Sequence, residues 1–180
     1  MTPSNGQIVQ KLYEILLGCL DIIKKKIERV NQINNFYKEN ETKEKFTEEL
    51  VLLDLVNHKI KTSIKIFKFI QLLCEGHNNS LQNFLRDQNN SANVNFISAT
   101  ALMFGGLVKY LKPEIIDLAN KMLEFMIESI QGPCKENQKS LFQAKVVDYV
   151  KDLMNEFDNP VSCKAKGFES KEDQEVAFAY

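Results

Sequence analysis

Glycine and proline are scarce in this chain, seven and four among 180 residues, and most of them stand where apolar helical patterns stop. With so few breakers, a loop-rich or low-complexity chain is excluded and an all-helical domain is favoured. An excess of one charge is also missing: 23 lysines and arginines face 24 aspartates and glutamates, a formal net charge of −1. No basic stripe with interleaved aromatics offsets that balance, which argues against an electrostatic nucleic-acid or membrane binder. Long apolar runs are absent too. The longest uncharged apolar segment, Phe96 to Val108, falls short of the roughly 20 residues that a bilayer-spanning helix needs. The opening stretch MTPSNGQIVQKLYEILLGCL lacks a positively charged leader, and Glu14 interrupts its apolar part, so it does not read as a signal peptide. Four scattered cysteines, Cys19, Cys74, Cys134 and Cys163, read as reduced cytosolic thiols rather than a disulfide framework. There is no Gly-rich phosphate loop, EF-hand loop or serine-nucleophile motif, and nothing points to an enzyme.

What the chain does have is helical periodicity. At 44% hydrophobic and 26% charged, it can bury one core of ordinary size. From Gln7 to about Phe36, Leu12, Leu16, Cys19, Ile23 and Ile27 recur at helical spacing and predict one long amphipathic helix, with Lys24, Lys25 and Lys26 on a solvated face. Lys38 to Lys45 reads as a loop. Thr47 before Glu48 and Glu49 suits the start of a short helix ending near Asn57. His58 then reads as a partly exposed hydrogen-bonding residue at a helix junction. The next helix, from about Lys61, carries too many apolar residues for a narrow stripe and is expected to be buried on more than one side. Leu81 to Arg86 is a short helix, Asn89 to Asn95 a turn, and Asn95 to Leu111 a helix in which Gly105-Gly106 permits close packing. Lys112-Pro113-Glu114 opens a helix that runs to Gly132. Asn137 is placed to cap Gln138 to Ala144, and a last helix through Val147 and Phe157 stops at Asp158-Asn159-Pro160. The fold expected is all-α, an armadillo-like α-solenoid of about seven helices in which pairs stack on their neighbours. Residues 1–58 form its N-terminal helical segment, 59–157 its main domain and 158–180 a polar tail.

Two turns in this pattern carry chemistry. In FKFIQLLCEGHNNSLQNFLRDQNN a helix stops at Glu75-Gly76-His77-Asn78 and another begins at once. Gly76 is free to adopt positive φ, and Asn78 or Asn79 can cap the restart. Glu75 occupies the last turn of its helix, already the negative end of the macrodipole, where a carboxylate costs up to about 1 kcal/mol unless a cation is near. Glu128 repeats the arrangement one turn before Gly132-Pro133, in ESIQGPCKENQKSL. Two carboxylates at two such helix ends point to a cation site. Ca²⁺ takes about six to eight oxygens, and Glu75, Glu128, Gln131, helix-end carbonyls and water can offer them. The competing reading pairs both glutamates with lysine or arginine, or leaves them in water. Zinc on Cys74, His77 and Cys134 lacks the second close Cys/His pair of a structural site, so these thiols read as buried and free. A Cys74-His77 nucleophile lacks an oxyanion-stabilising loop.

The segments LLCEGHNNSLQNFLRDQ and ESIQGPCKENQKSL, in this order, closely resemble the paired signatures of the RIH-associated domain of ryanodine receptors and inositol trisphosphate receptors, over about Lys59 to Phe157. The resemblance implies a regulatory domain on the cytosolic face of the endoplasmic reticulum membrane that couples Ca²⁺ binding to the gating of a calcium-release channel. Its implied partners are other domains or subunits of that assembly, tetrameric where the chain is part of a channel. In the family the two motif glutamates form the activating Ca²⁺ site. Here these are Glu75 and Glu128, with His77 and Gln131 lining it. A carbonyl from a domain beyond the pore completes the family's site and is not in this sequence. Ca²⁺ is therefore expected to bind weakly, with a dissociation constant on the order of 10⁻⁴ to 10⁻³ M against about 10⁻⁷ to 10⁻⁵ M for a working sensor. The alternative is a freestanding helical scaffold that binds a protein without sensing calcium.

Overall fold

A computed structural model describes residues 5–37, 46–89, 93–159 and 164. The loop expected over 38–45, Cys163 and nearly all of the tail after Asp158 lie outside these residues. The described chain is all-α, with seven helices: α1 (Asn5–Tyr37), α2 (Phe46–Cys74), α3 (Asn79–Arg86), α4 (Phe96–Val108), α5 (Pro113–Ile130), α6 (Lys135–Gln143) and α7 (Val146–Asp158), plus a 3-10 turn over Glu75–His77. α2 packs most extensively on α5, α1 lies along α2, α4 lies on α5, and α6 and α7 lie on α4. The result is a solenoid-like stack in which each helix packs chiefly on its layer neighbours. Among the described residues no helix is long and apolar enough to cross a membrane.

The layers meet at three phenylalanines. Phe67 of α2, Phe96 of α4 and Phe125 of α5 are all fully buried. Their ring centroids lie 6.4 Å apart for Phe67 and Phe96, 6.1 Å for Phe67 and Phe125, and 5.9 Å for Phe96 and Phe125, the first and last pairs edge-on. Edge-on packing sets the positive rim of one ring against the negative face of the next.

Three sequence expectations are corrected here. The short helix ending near Asn57 and the helix from Lys61 are one element, because no glycine or proline intervenes and Val56, Ile60, Ser63 and Phe67 continue one buried stripe through the proposed break. His58 is therefore an exposed residue inside α2, and its carbonyl accepts from the Thr62 hydroxyl at 2.9 Å. Second, α2 is not buried on more than one side, since Phe69 and Leu72 are 53% and 50% exposed. The helix enclosed in that way is α4, which buries nine of its thirteen residues. Third, α6 begins at Lys135 with Cys134 in the cap position. Asn137 thus lies inside the helix, fully buried, and does not cap its start.

The Gly105-Gly106 pair does permit close packing, but only through its first member. A Cβ on Gly105 would fall 2.5 to 2.6 Å from the Tyr149 ring of α7, whereas one on Gly106 would meet only the Lys24 side-chain end, at 3.5 Å. Gly105→Ala is expected to lower stability by about 1–2 kcal/mol, an overpacking cost partly offset by better helix propensity. Gly106→Ala is expected to be neutral or stabilising by up to about 1 kcal/mol. Urea titration of the two variants checks the contrast; equal effects would remove α7 from its position over Gly105.

Candidate functional site

Both turns form as their local chemistry dictates. After Cys74 ends α2, Gly76 takes φ +67° and His77 φ +57°. Asn78 then caps α3, its side-chain oxygen accepting from the Leu81 amide at 3.3 Å. At the second turn α5 ends at Ile130, Gln131 is extended and Gly132 takes φ +75° before α6 begins. The left-handed His77 is a strained choice for a residue with a Cβ, at roughly 1–2 kcal/mol. It sets the imidazole against the other turn: a Cβ on Gly132 would lie 3.4 Å from His77 Cβ and 3.6 Å from its Nδ1. The two turns, more than fifty residues apart in sequence, are thus in contact.

A lattice of side-chain amides fastens them. Gln82 of α3, fully buried, donates from Nε2 to the backbone oxygens of Glu128 at 2.8 Å and Gln131 at 3.1 Å. Asn137 of α6 donates from Nδ2 to the backbone oxygens of Gln82 at 3.0 Å and Ser129 at 2.8 Å. Its Oδ1 accepts from Arg86 Nε at 3.1 Å, and Arg86 Nη2 also donates to Asn83 Oδ1 at 3.1 Å. Gln138 Nε2 donates to the Ile130 oxygen at 3.2 Å. The carbonyls at the end of α5, which have no partner within the helix, are therefore met by amide N–H groups from α3 and α6. The backbone oxygens of residues 128–131 each serve as acceptors in this lattice.

Glu75 is exposed, while Glu128 and Gln131 are half-buried. Gln131 Nε2 donates to Glu128 Oε1 at 3.1 Å, holding one carboxylate oxygen and leaving Oε2 open. Glu128 also lies close to Cys74, the residue before Glu75. Burial is the main cause pushing the Cys74 thiol up to about 12, and the negative charge of Glu128 and the neighbouring Cys134 add to it. Cys74 is accordingly a protonated, buried thiol at neutral pH, as is expected of a structural cysteine. Among the described residues neither Glu75 nor Glu128 has a lysine or arginine partner, so the ion-pair reading of these two carboxylates has no support. Among the same residues no three His, Cys, Asp or Glu side chains gather as a metal-binding group. Zinc on Cys74, His77 and Cys134 is not assembled here: both thiols are buried, Cys134 Sγ lies 3.8 Å from Asn83 Oδ1, and His77 is exposed.

The helix, paired glycine turns and amide lattice coincide with a known sequence family. A family model described as RyR and IP3R Homology associated matches residues 57–154, more than half of the chain. The chain belongs to this family. Among curated proteins, the inositol 1,4,5-trisphosphate receptor itr-1 of Caenorhabditis elegans is 35% identical over 86 residues, covering 42% of this chain and 3% of that receptor. The chain thus spans a small fraction of that relative. No solved structure matches.

Within the family's two signature segments, sequence reasoning singled out the glutamates and passed over the residues that join them. Gln82 and Asn137 stand three and four residues before the buried Leu85 and Leu141, on faces where an apolar side chain would be the ordinary occupant. A polar residue at an apolar position of the helical period was the available signal.

Proposed function

We propose that this chain is a Ca²⁺-sensing regulatory domain on the cytosolic side of an intracellular calcium-release channel related to the ryanodine and inositol trisphosphate receptors. The observation that carries the reading is the joining of the two motif turns. His77 rests against Gly132 and Gln82 holds the carbonyls of Glu128 and Gln131, so the half-buried Glu128 and the exposed Glu75 flank one joint with no basic partner among the described residues. Glu75 and Glu128 supply carboxylate oxygens to the cation, Gln131 orients Glu128, and His77 lines the site. A further oxygen from a neighbouring domain or subunit completes the shell. Coupling to the gate follows if that neighbour approaches the two turns differently in the open and closed channel, because Ca²⁺ shifts an equilibrium only by its differential affinity for the two states.

Calorimetric titration with Ca²⁺, against a Mg²⁺ control, tests this. The wild-type chain is expected to give weak, Ca²⁺-selective heat with a dissociation constant of about 10⁻⁴ to 10⁻³ M, and the double variant Glu75→Gln, Glu128→Gln is expected to give none. Equal heats in the two proteins would move the cation elsewhere. Silence in both would favour a helical interaction domain that does not sense calcium.

A further inference from the structure

We propose that the outer face of α2 docks on the outer face of α7 in a second copy of this chain. α2 buries one stripe and turns His58, Lys61, Lys65, Lys68, Phe69 and Leu72 to the opposite side, where all six are exposed. At 100° per residue these six fall within about a third of the helix circumference. No carboxylate stands among residues 58–72, and none of the three lysines has an ion-pair partner among the described residues. Two half-exposed apolar side chains in a cationic frame make a surface that suits an acidic, amphipathic helix.

The chain itself carries such a helix. α7 rests on α4 and α6 and buries Phe157, while Val147 and Met154 are 66% and 52% exposed. Asp148, Asp152 and Asp158 are exposed alongside them, with Lys151 the one cation on that face. α2 packs on α1, α3 and α5, so the two faces belong to different layers of the stack. A second copy brings them together: Phe69 and Leu72 meet Val147 and Met154, and three lysines meet three aspartates. The contact joins unlike surfaces, so a pair of copies keeps one free face of each kind, one on each copy, and repetition gives a ring or an open chain. Ca²⁺ takes no part in it.

Sedimentation of the whole chain tests the proposal, at loading concentrations up to about 1 mM, where a weak contact of this class is populated. The wild-type protein is expected to self-associate, about tenfold less tightly in high salt than in low salt, and equally with or without a calcium chelator. The triple variant Lys61→Glu, Lys65→Glu, Lys68→Glu and the triple variant Asp148→Lys, Asp152→Lys, Asp158→Lys should each be monomeric with wild-type helical circular dichroism, since all six side chains are exposed. Mixed in equal amounts, the two should associate again, because each supplies the face that the other lacks. A wild-type chain that stays monomeric, association that survives either reversal, or a mixture that stays monomeric would overturn the proposal. So would a monomeric chain that binds anionic vesicles through Lys61, Lys65 and Lys68, which would assign the α2 face to a lipid surface.

Discussion

Phe125→Ala should be the most damaging single truncation in the core, lowering stability by about 4–5 kcal/mol. The side chain is fully buried between α2 and α4, with the Phe67 ring at 6.1 Å and the Phe96 ring at 5.9 Å. Removing it forfeits the transfer free energy of a large apolar group and leaves a cavity that three stacked helices can close only in part, together about 3–5 kcal/mol. The two ring contacts, each about 0.5–1.5 kcal/mol beyond area burial, place this site in the upper part of that range. For a chain of this size the expected fall in Tm is about 8–20 °C. Urea titration should show a lower midpoint with an unchanged slope, the mark of lost stability rather than an altered unfolded state. Phe142→Ala provides the contrast: Phe142 is 77% exposed, and its loss should stay within about 0.5 kcal/mol. A Phe125→Ala loss below about 2 kcal/mol would mean that the three rings do not form the centre of the fold.

The helices were legible because each carries a dense apolar period bounded by few and strong breakers, and Gly76, Gly132 and Pro113 stand where their φ requirements place them. Which helix is enclosed was legible but misread. α4 carries no charged residue over Phe96–Val108, the ordinary mark of a helix covered on all sides, whereas α2 interleaves Lys61, Lys65 and Lys68 with its apolar residues; packing accordingly leaves Phe69 and Leu72 facing outward and covers α4 with α5, α6 and α7. The candidate site divides into a local and a long-range part. A glutamate before a glycine turn is a local pattern, so Glu75 and Glu128 could be picked from the sequence. The bonds from Gln82, Arg86 and Asn137 that bring those turns together link residues 46 to 55 positions apart, beyond the reach of any periodicity. Asn137 shows the cost of a purely local rule. An asparagine ahead of a polar helical run suits an N-cap, but burial between α3 and the end of α5 gives its amide three longer-range partners instead.

That placement makes Asn137→Leu the second large effect, and the one that bears on function. Leucine keeps the branched outline, though its two methyl groups are bulkier than the amide, and can neither donate nor accept. The backbone oxygens of Gln82 and Ser129 would lose a buried donor, and Arg86 Nε would lose its acceptor. Each buried polar group left unpaired costs about 1–3 kcal/mol; with two buried oxygens orphaned and the half-buried Arg86 able to turn to water, a total loss of about 2–6 kcal/mol is expected. Gln82→Ala should cost a similar amount. The double variant should cost less than the two single losses together, by about 0.5–3 kcal/mol, because both residues serve one network. The functional consequence separates this change from an ordinary core defect. Asn137 hydrogen-bonds to neither Glu75 nor Glu128, yet it anchors the α3 and α5 backbones that carry the two turns. Under conditions where the variant is still folded by circular dichroism, the weak Ca²⁺ heat proposed for the wild-type chain should therefore be lost, while a Gly105→Ala variant of reduced stability keeps it. Retention of that heat in folded Asn137→Leu would mean that the two carboxylates hold their places without the amide lattice, and that the lattice contributes stability alone.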